Sequence, residues 1–234
     1  MKIFTKSEWF TIVGLIVLCF IPIFAGIFRL LELSSGKVIL PNNPRVTAQP
    51  LPVILHILGA VIYCVLGIFQ FLPSIRQQKP KWHRYNGRLI FVAGIISALT
   101  GLWMTHFYEF PHELQGEILY IVRMLLGSAM FVFLLLGLAA ILKRNISKHY
   151  SWMIRAYAIG LGASTQALIL LLFTLISGEP LGLTRDLLMT FAWIINIIMA
   201  EWIIKRKLRG RKATYIVAPR LPHWVGQPAV AESK

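Results

Sequence analysis

The sequence predicts an all-α polytopic membrane protein, a six-helix transmembrane bundle. Only 14% of its residues are charged and 57% are hydrophobic, whereas a soluble chain carries about 25% charge. Mean hydropathy is +0.69. The apolar residues also gather into six runs, roughly 9–31, 51–73, 88–107, 115–142, 152–177 and 186–204. Each approaches the about 20 residues that a helix needs to cross a hydrocarbon core. Inside lipid every backbone polar group must be paired, and runs of this length achieve that as helices rather than strands.

The first run follows Lys2 and Lys6 and is longer than the roughly 7–15 apolar residues of a signal peptide, so it reads as an uncleaved helix. Cys19 and Cys64 lie inside the first two runs without C-x-x-C spacing and read as packing residues. Between these runs, Ser34–Pro50 carries turn chemistry in Ser34-Ser35-Gly36 and Pro41-Asn42-Asn43-Pro44. It either covers one face of the bundle or simply connects. Pro80 suits a first helical turn, so the third helix is expected to begin near Lys81 and run to His106. The stretch Ile118–Leu142 holds one charge, Arg123. Ser147 offers an N-cap for a fifth helix with His149 in its first turn. After Glu201 the chain becomes basic, then rich in proline. It divides into a transmembrane domain, 1–204, and a flexible or surface-bound tail, 205–234.

Charge orients the bundle. Of 24 Lys and Arg, 19 fall at the N-terminus, in the second and fourth connections (Arg88 and Arg155 included) and in the tail. The opposite rim holds Arg29, Lys37, Arg45 and Arg185 with most of the acids. Basic residues concentrate on the cytoplasmic side, which predicts a multi-pass protein of the cell membrane with both termini in the cytoplasm. The formal charge of +15 suits anionic lipid. It does not suggest nucleic acid, because no basic soluble domain exists to carry that function. The loops also lack a Ser-His-Asp set, a phosphate loop or a carboxylate pair.

Histidines supply the candidate chemistry. His83 and His149 each stand in a basic turn at the start of a helix on one rim. His56, His106 and His112 belong to the other rim. Small residues follow at helical spacing: Gly87, Gly94 and Gly101 after His83, and Ala156, Gly160 and Ala163 after His149. Tyr63, Gly67 and Gln70 share a face with His56, and Gly116, Arg123 and Gly127 share one with His112. Such stripes either pack helices against each other or admit a flat ligand such as haem, with imidazoles on both sides of its iron. Arg123 either snorkels outward, pairs with Glu113 or Glu117, or binds a carboxylate such as a haem propionate. Glu201 is expected to pair with Arg155 or Arg84. Trp152, Trp193 and Trp202 read as interfacial anchors and packing.

Four motifs carry a resemblance. They are Gly67-Ile-Phe-Gln70-Phe-Leu-Pro73-x-x-Arg76, Pro80-x-x-His83-Arg84-x-x-Gly87-Arg88, His149-x-x-Trp152-Met153-Ile-Arg155-x-Tyr157-Ala158 and Trp193-x-x-Asn196-x-x-x-Ala200-Glu201. From about His56 to Glu201 the chain resembles the bacterial membrane-protein family called domain of unknown function 2306. It departs from that pattern at Tyr150 and Gln166, where arginine is common. In architecture it is also similar to the cytochrome b561 group, whose four-helix core, helices two to five, holds two b haems. That likeness implies one or two haem b groups. His56 and His112 would ligate the outer haem, with His106 as a substitute for His112, and His83 and His149 the inner one. Arg123, Arg84 and Arg155 would meet propionates. It further implies transmembrane electron transfer, a quinol or another small redox molecule as partner and, if the protein is an enzyme, a haem-dependent membrane oxidoreductase. A homodimer is left open. A non-redox scaffold, assembly factor or small-solute carrier is the other class that fits these residues.

Overall fold

A computed structural model describes residues 4–40 and 43–217, with side-chain surroundings through 209. The helices in chain order are α1 (Lys6–Ser35), α2 (Pro44–Ala48), α3 (Pro50–Gln70), α4 (Pro73–Gln78), α5 (Pro80–Phe107), α6 (Glu117–Leu142), α7 (Ile146–Gly160), α8 (Gly162–Ser177) and α9 (Gly182–Val217). Six segments are long and apolar enough to span a membrane: α1, α3, α5, α6, α7 with α8 together, and α9. Helices α3, α5, α6 and α7 share the main core with Cys19 of α1, which is the expected four-helix arrangement of the second to fifth spans.

Local chemistry sets the helix ends. Thr5 and Glu8 form a capping box at the start of α1. The buried Glu8 carboxylate also accepts from the Ser74 amide (2.8 Å) and hydroxyl (2.6 Å), tying α1 to α4. At the other end Gly36 takes a left-handed φ of 68° and donates to the Glu32 carbonyl. Proline opens α2, α3, α4 and α5, the position where its missing N–H costs nothing. Helix α5 therefore starts at Pro80, as the proline predicted. The cap of α7 differs from expectation. Asn145 fills that position, its side chain accepting from the Lys148 amide at 3.0 Å, because the helix begins one residue before Ser147. The boundary expected at 204 falls inside α9, which continues to Val217. The rest of the tail, His223 included, lies outside the described residues.

The glycine stripes are filled by protein side chains. The Tyr63 ring lies between two helices, and a Cβ at Gly94 or Gly160 would stand 2.7 or 2.6 Å from it. Gly67 accommodates the Tyr157 ring, and Gly137 accommodates the Met153 sulfur. Here glycine acts as the small residue that lets helices and rings approach in lipid. Gly87 is the exception. A Cβ there would have one neighbour within 4 Å, the Gln70 Oε1 at 3.4 Å.

The fifth span is broken at Leu161. Leu161 still bonds back to Tyr157 at 2.9 Å, and the ladder resumes with Ser164 and Thr165 bonding to Leu161. The carbonyls in between are taken by other helices. Asn196 Nδ2 donates to Ala158 and Trp193 Nε1 to Ile159, each at 3.1 Å. The Cys64 thiol donates to Gly160 at 3.8 Å. A broken backbone persists at membrane depth only where protein groups pair it in this way.

Candidate functional site

One turn into α5, His83 is half-buried, and its Nδ1 is buried with no hydrogen-bond partner. One turn into α7, His149 lies within electrostatic range of His83, as do Arg76 and Arg84. The His149 Nδ1 stands 2.8 Å from the Gly137 carbonyl. A carbonyl only accepts, so this nitrogen carries the proton, and Nε2 of the neutral ring presents its lone pair. Gln70, from the end of α3, lies against Gly87, and its Nε2 is likewise buried without a partner. Gly87 follows His83 by one helical turn on the same face. Two orphaned nitrogens thus flank the one glycine of the stripe that no bulky side chain fills.

The two arginines expected at this rim differ from each other. Arg84 is exposed. Arg155 is committed to Glu201, with Nε and Nη2 at 2.5 and 3.0 Å from its two oxygens, and it stacks over Trp152. The expected pairing of Glu201 with Arg155 is therefore present, and this arginine is already partnered. Trp193, Asn196 and Glu201, all from one motif, form a column along α9 that grips α7 at Ile159, Ala158 and Arg155. Where the related pattern has arginine, Gln166 is buried and donates to the Met189 carbonyl at 3.1 Å.

The opposite rim does not assemble the expected pair. His56 faces α5, its Nδ1 3.0 Å from the Ser97 carbonyl and 3.3 Å from the Thr100 hydroxyl. His112 is exposed in the turn before α6, because that helix begins only at Glu117. The predicted face through His112, Gly116 and Arg123 is therefore not a single helical face. His106 is exposed at the end of α5 and bonds the Tyr120 hydroxyl at 2.9 Å. Arg123 takes Gln115 as its partner, rather than Glu113 or Glu117. Arg45, Val46 and Gln49 pack onto this rim: Val46 is buried, Arg45 lies over Phe110, and the Tyr108 hydroxyl donates to the Gln49 carbonyl at 2.6 Å. Burial holds that hydroxyl above its usual pKa, against the pull of Arg45.

Two contacts were not expected from sequence. The Cys19 and Cys64 thiols meet between α1 and α3 as free thiols. The buried Asp186, from α9, accepts the Gly116 and Leu119 amides, each at 3.1 Å, and so caps α6 from a neighbouring helix. Among the described residues no three of His, Cys, Asp or Glu gather as metal ligands. A haem needs only two, since its ring fills the other positions on the iron. His83 and His149, within electrostatic range of each other and with the open Gly87 one turn beyond His83, are the two imidazoles that would hold such a group; His56, His106 and His112 as placed do not converge.

This architecture defines a six-span integral membrane protein with its polar apparatus at the two helix-end rims. The chain belongs to the family described as predicted membrane protein (DUF2306), whose model matches residues 53–204. No curated protein and no solved structure matches it.

Proposed function

We propose that this protein binds one b-type haem between His83 and His149 and passes single electrons at the basic rim. The observation that carries the reading is the pair of one-turn-deep imidazoles. One is fixed by the Gly137 carbonyl with Nε2 available, and the other has a buried nitrogen without a partner. The Gly137 carbonyl behind His149 would set the tautomer and orientation with which that ring holds the group. Gly87 would let the flat ring approach α5, and Arg76 and Arg84 would supply positive charge for its carboxylates. The haem, when bound, supplies the one-electron chemistry. The reductant class we assign is a lipid-soluble quinol. The excess of Lys and Arg on this rim supports a cytoplasmic position for it at the cell membrane.

One observation favours a second reading. The opposite histidines do not converge, so a relay across the bilayer lacks its outer station. A non-redox protein whose His-Arg turns hold lipid phosphates would need no such station. Absorption spectroscopy separates the two. The protein, purified after growth with ample haem, should show a Soret band and an α band that sharpens on reduction. His83→Ala and His149→Ala should each abolish both bands, while His106→Ala and His112→Ala keep them. A wild-type protein without a Soret band would refute the haem reading.

A further inference from the structure

At the rim opposite His83, two arginines from separate elements meet over one aromatic ring, and a third from another helix lies within electrostatic range of one of them. Arg45 of α2 stands over the Phe110 ring at 4.5 Å, and Arg123 of α6 stands over the same ring at 5.4 Å. Arg185 of α9 acts on Arg123 electrostatically, as Arg45 does, and both repel it. The carboxylate acting on Arg123 is that of Asp186. Its two oxygens are already occupied by the α6 amides of Gly116 and Leu119. Among the described residues none of the three arginines forms a salt bridge.

The hydrogen-bond inventory leaves the same surplus. A guanidinium offers five N–H donors. Arg123 Nη1 meets Gln115, and Arg45 Nε donates to Asn43 at 3.0 Å. Arg45 Nη1 and Arg185 Nε are buried with no partner. Buried donors without acceptors, carrying net positive charge, are strongly unfavourable unless an anion completes them. A carboxylate has two oxygens and matches one guanidinium fork. A tetrahedral phosphate can present oxygens toward several arginines at once. The cluster also stands at helix ends, the level of lipid headgroups.

We propose that Arg45, Arg123 and Arg185 form a phosphate-binding site, filled by the phosphodiester of an anionic lipid or by a soluble phosphate. The site requires no haem and stands whether or not His83 and His149 bind one. The test is thermal unfolding of the full chain in neutral detergent. One arm adds inorganic phosphate against chloride at matched ionic strength. The other adds anionic against zwitterionic phospholipid, with native mass spectrometry counting bound lipid. The wild-type melting temperature should rise in at least one arm: a rise with lipid alone identifies a headgroup, and a rise with phosphate alone identifies a soluble ligand. Arg185→Gln should raise about tenfold the ligand concentration needed for a given melting-temperature rise, the scale of one lost charge-assisted contact. Arg45→Gln, in the short α2 outside the spans, should do the same. No wild-type response in either arm, or an unchanged response in Arg45→Gln, overturns the proposal.

Discussion

Replacing Asp186 with asparagine tests how far one helix depends on another for its cap. Asp186 is 2% exposed, and each oxygen accepts one amide of the α6 N-terminus at 3.1 Å. Asparagine keeps one acceptor and turns an NH2 toward the other amide. That removes one hydrogen bond to a charged group, about 1.5–3 kcal/mol. It also removes a negative charge from the positive end of the helix dipole, up to about 2 kcal/mol in a buried setting. The terms overlap, so the expected loss is about 2–4 kcal/mol. Equilibrium unfolding in mixed micelles, followed by far-ultraviolet circular dichroism, measures it. Gly116→Ala places a Cβ 2.5 Å from the same carboxylate, so its cost should shrink when combined with Asp186→Asn. A stability for Asp186→Asn within about 0.5 kcal/mol of wild type, the range of ordinary surface changes, would refute the capping argument.

Asn196→Ala should destabilise the bundle by about 1–3 kcal/mol in the same assay, because it leaves the Ala158 carbonyl and the Thr165 hydroxyl without their partner; an unchanged midpoint would show that the break needs no clamp. At the ring between Gly94 and Gly160 two substitutions should act with opposite sign. Tyr63→Phe removes a buried hydroxyl that has no partner and should stabilise by about 1 kcal/mol. Gly94→Ala forces a Cβ to 2.7 Å from that ring and should cost about 1–3 kcal/mol. Equal signs for the pair would contradict this packing.

Features set by composition or by a few adjacent residues were legible in the sequence. The six spans follow from hydropathy, and the start of α5 follows from Pro80. The Arg155–Glu201 pair follows from two opposite charges at one rim. Features that join distant residues were not legible. Gly160-Leu161-Gly162 reads as one more small-residue stretch in an apolar run. It becomes a break because Trp193 packs against Gly162 and bonds Ile159. Asp186 resembles any acid at a helix start until Gly116, 70 residues earlier, meets it. The cysteines, 45 positions apart in sequence, carry no spacing that announces their contact. For the candidate site, the basic-rim histidines were found from their matching turns. His112 falls in the turn after Pro111 because α6 begins only at Glu117. The arginine cluster was reduced to Arg123, since Arg45 and Arg185 reach it only through the folded connections.

The interruption at Leu161 has a consequence for biogenesis. Helix α7 has 15 residues and α8 has 16, and each alone is shorter than the about 20 residues that cross a bilayer. The two must enter the membrane as one unit, with unpaired carbonyls at their joint. The donors for Ala158 and Ile159 belong to α9, which the ribosome makes after α7 and α8. Completion of the fifth crossing therefore waits for synthesis of the sixth, so a nascent chain that stops short of Gly182 holds a span whose midpoint is still open.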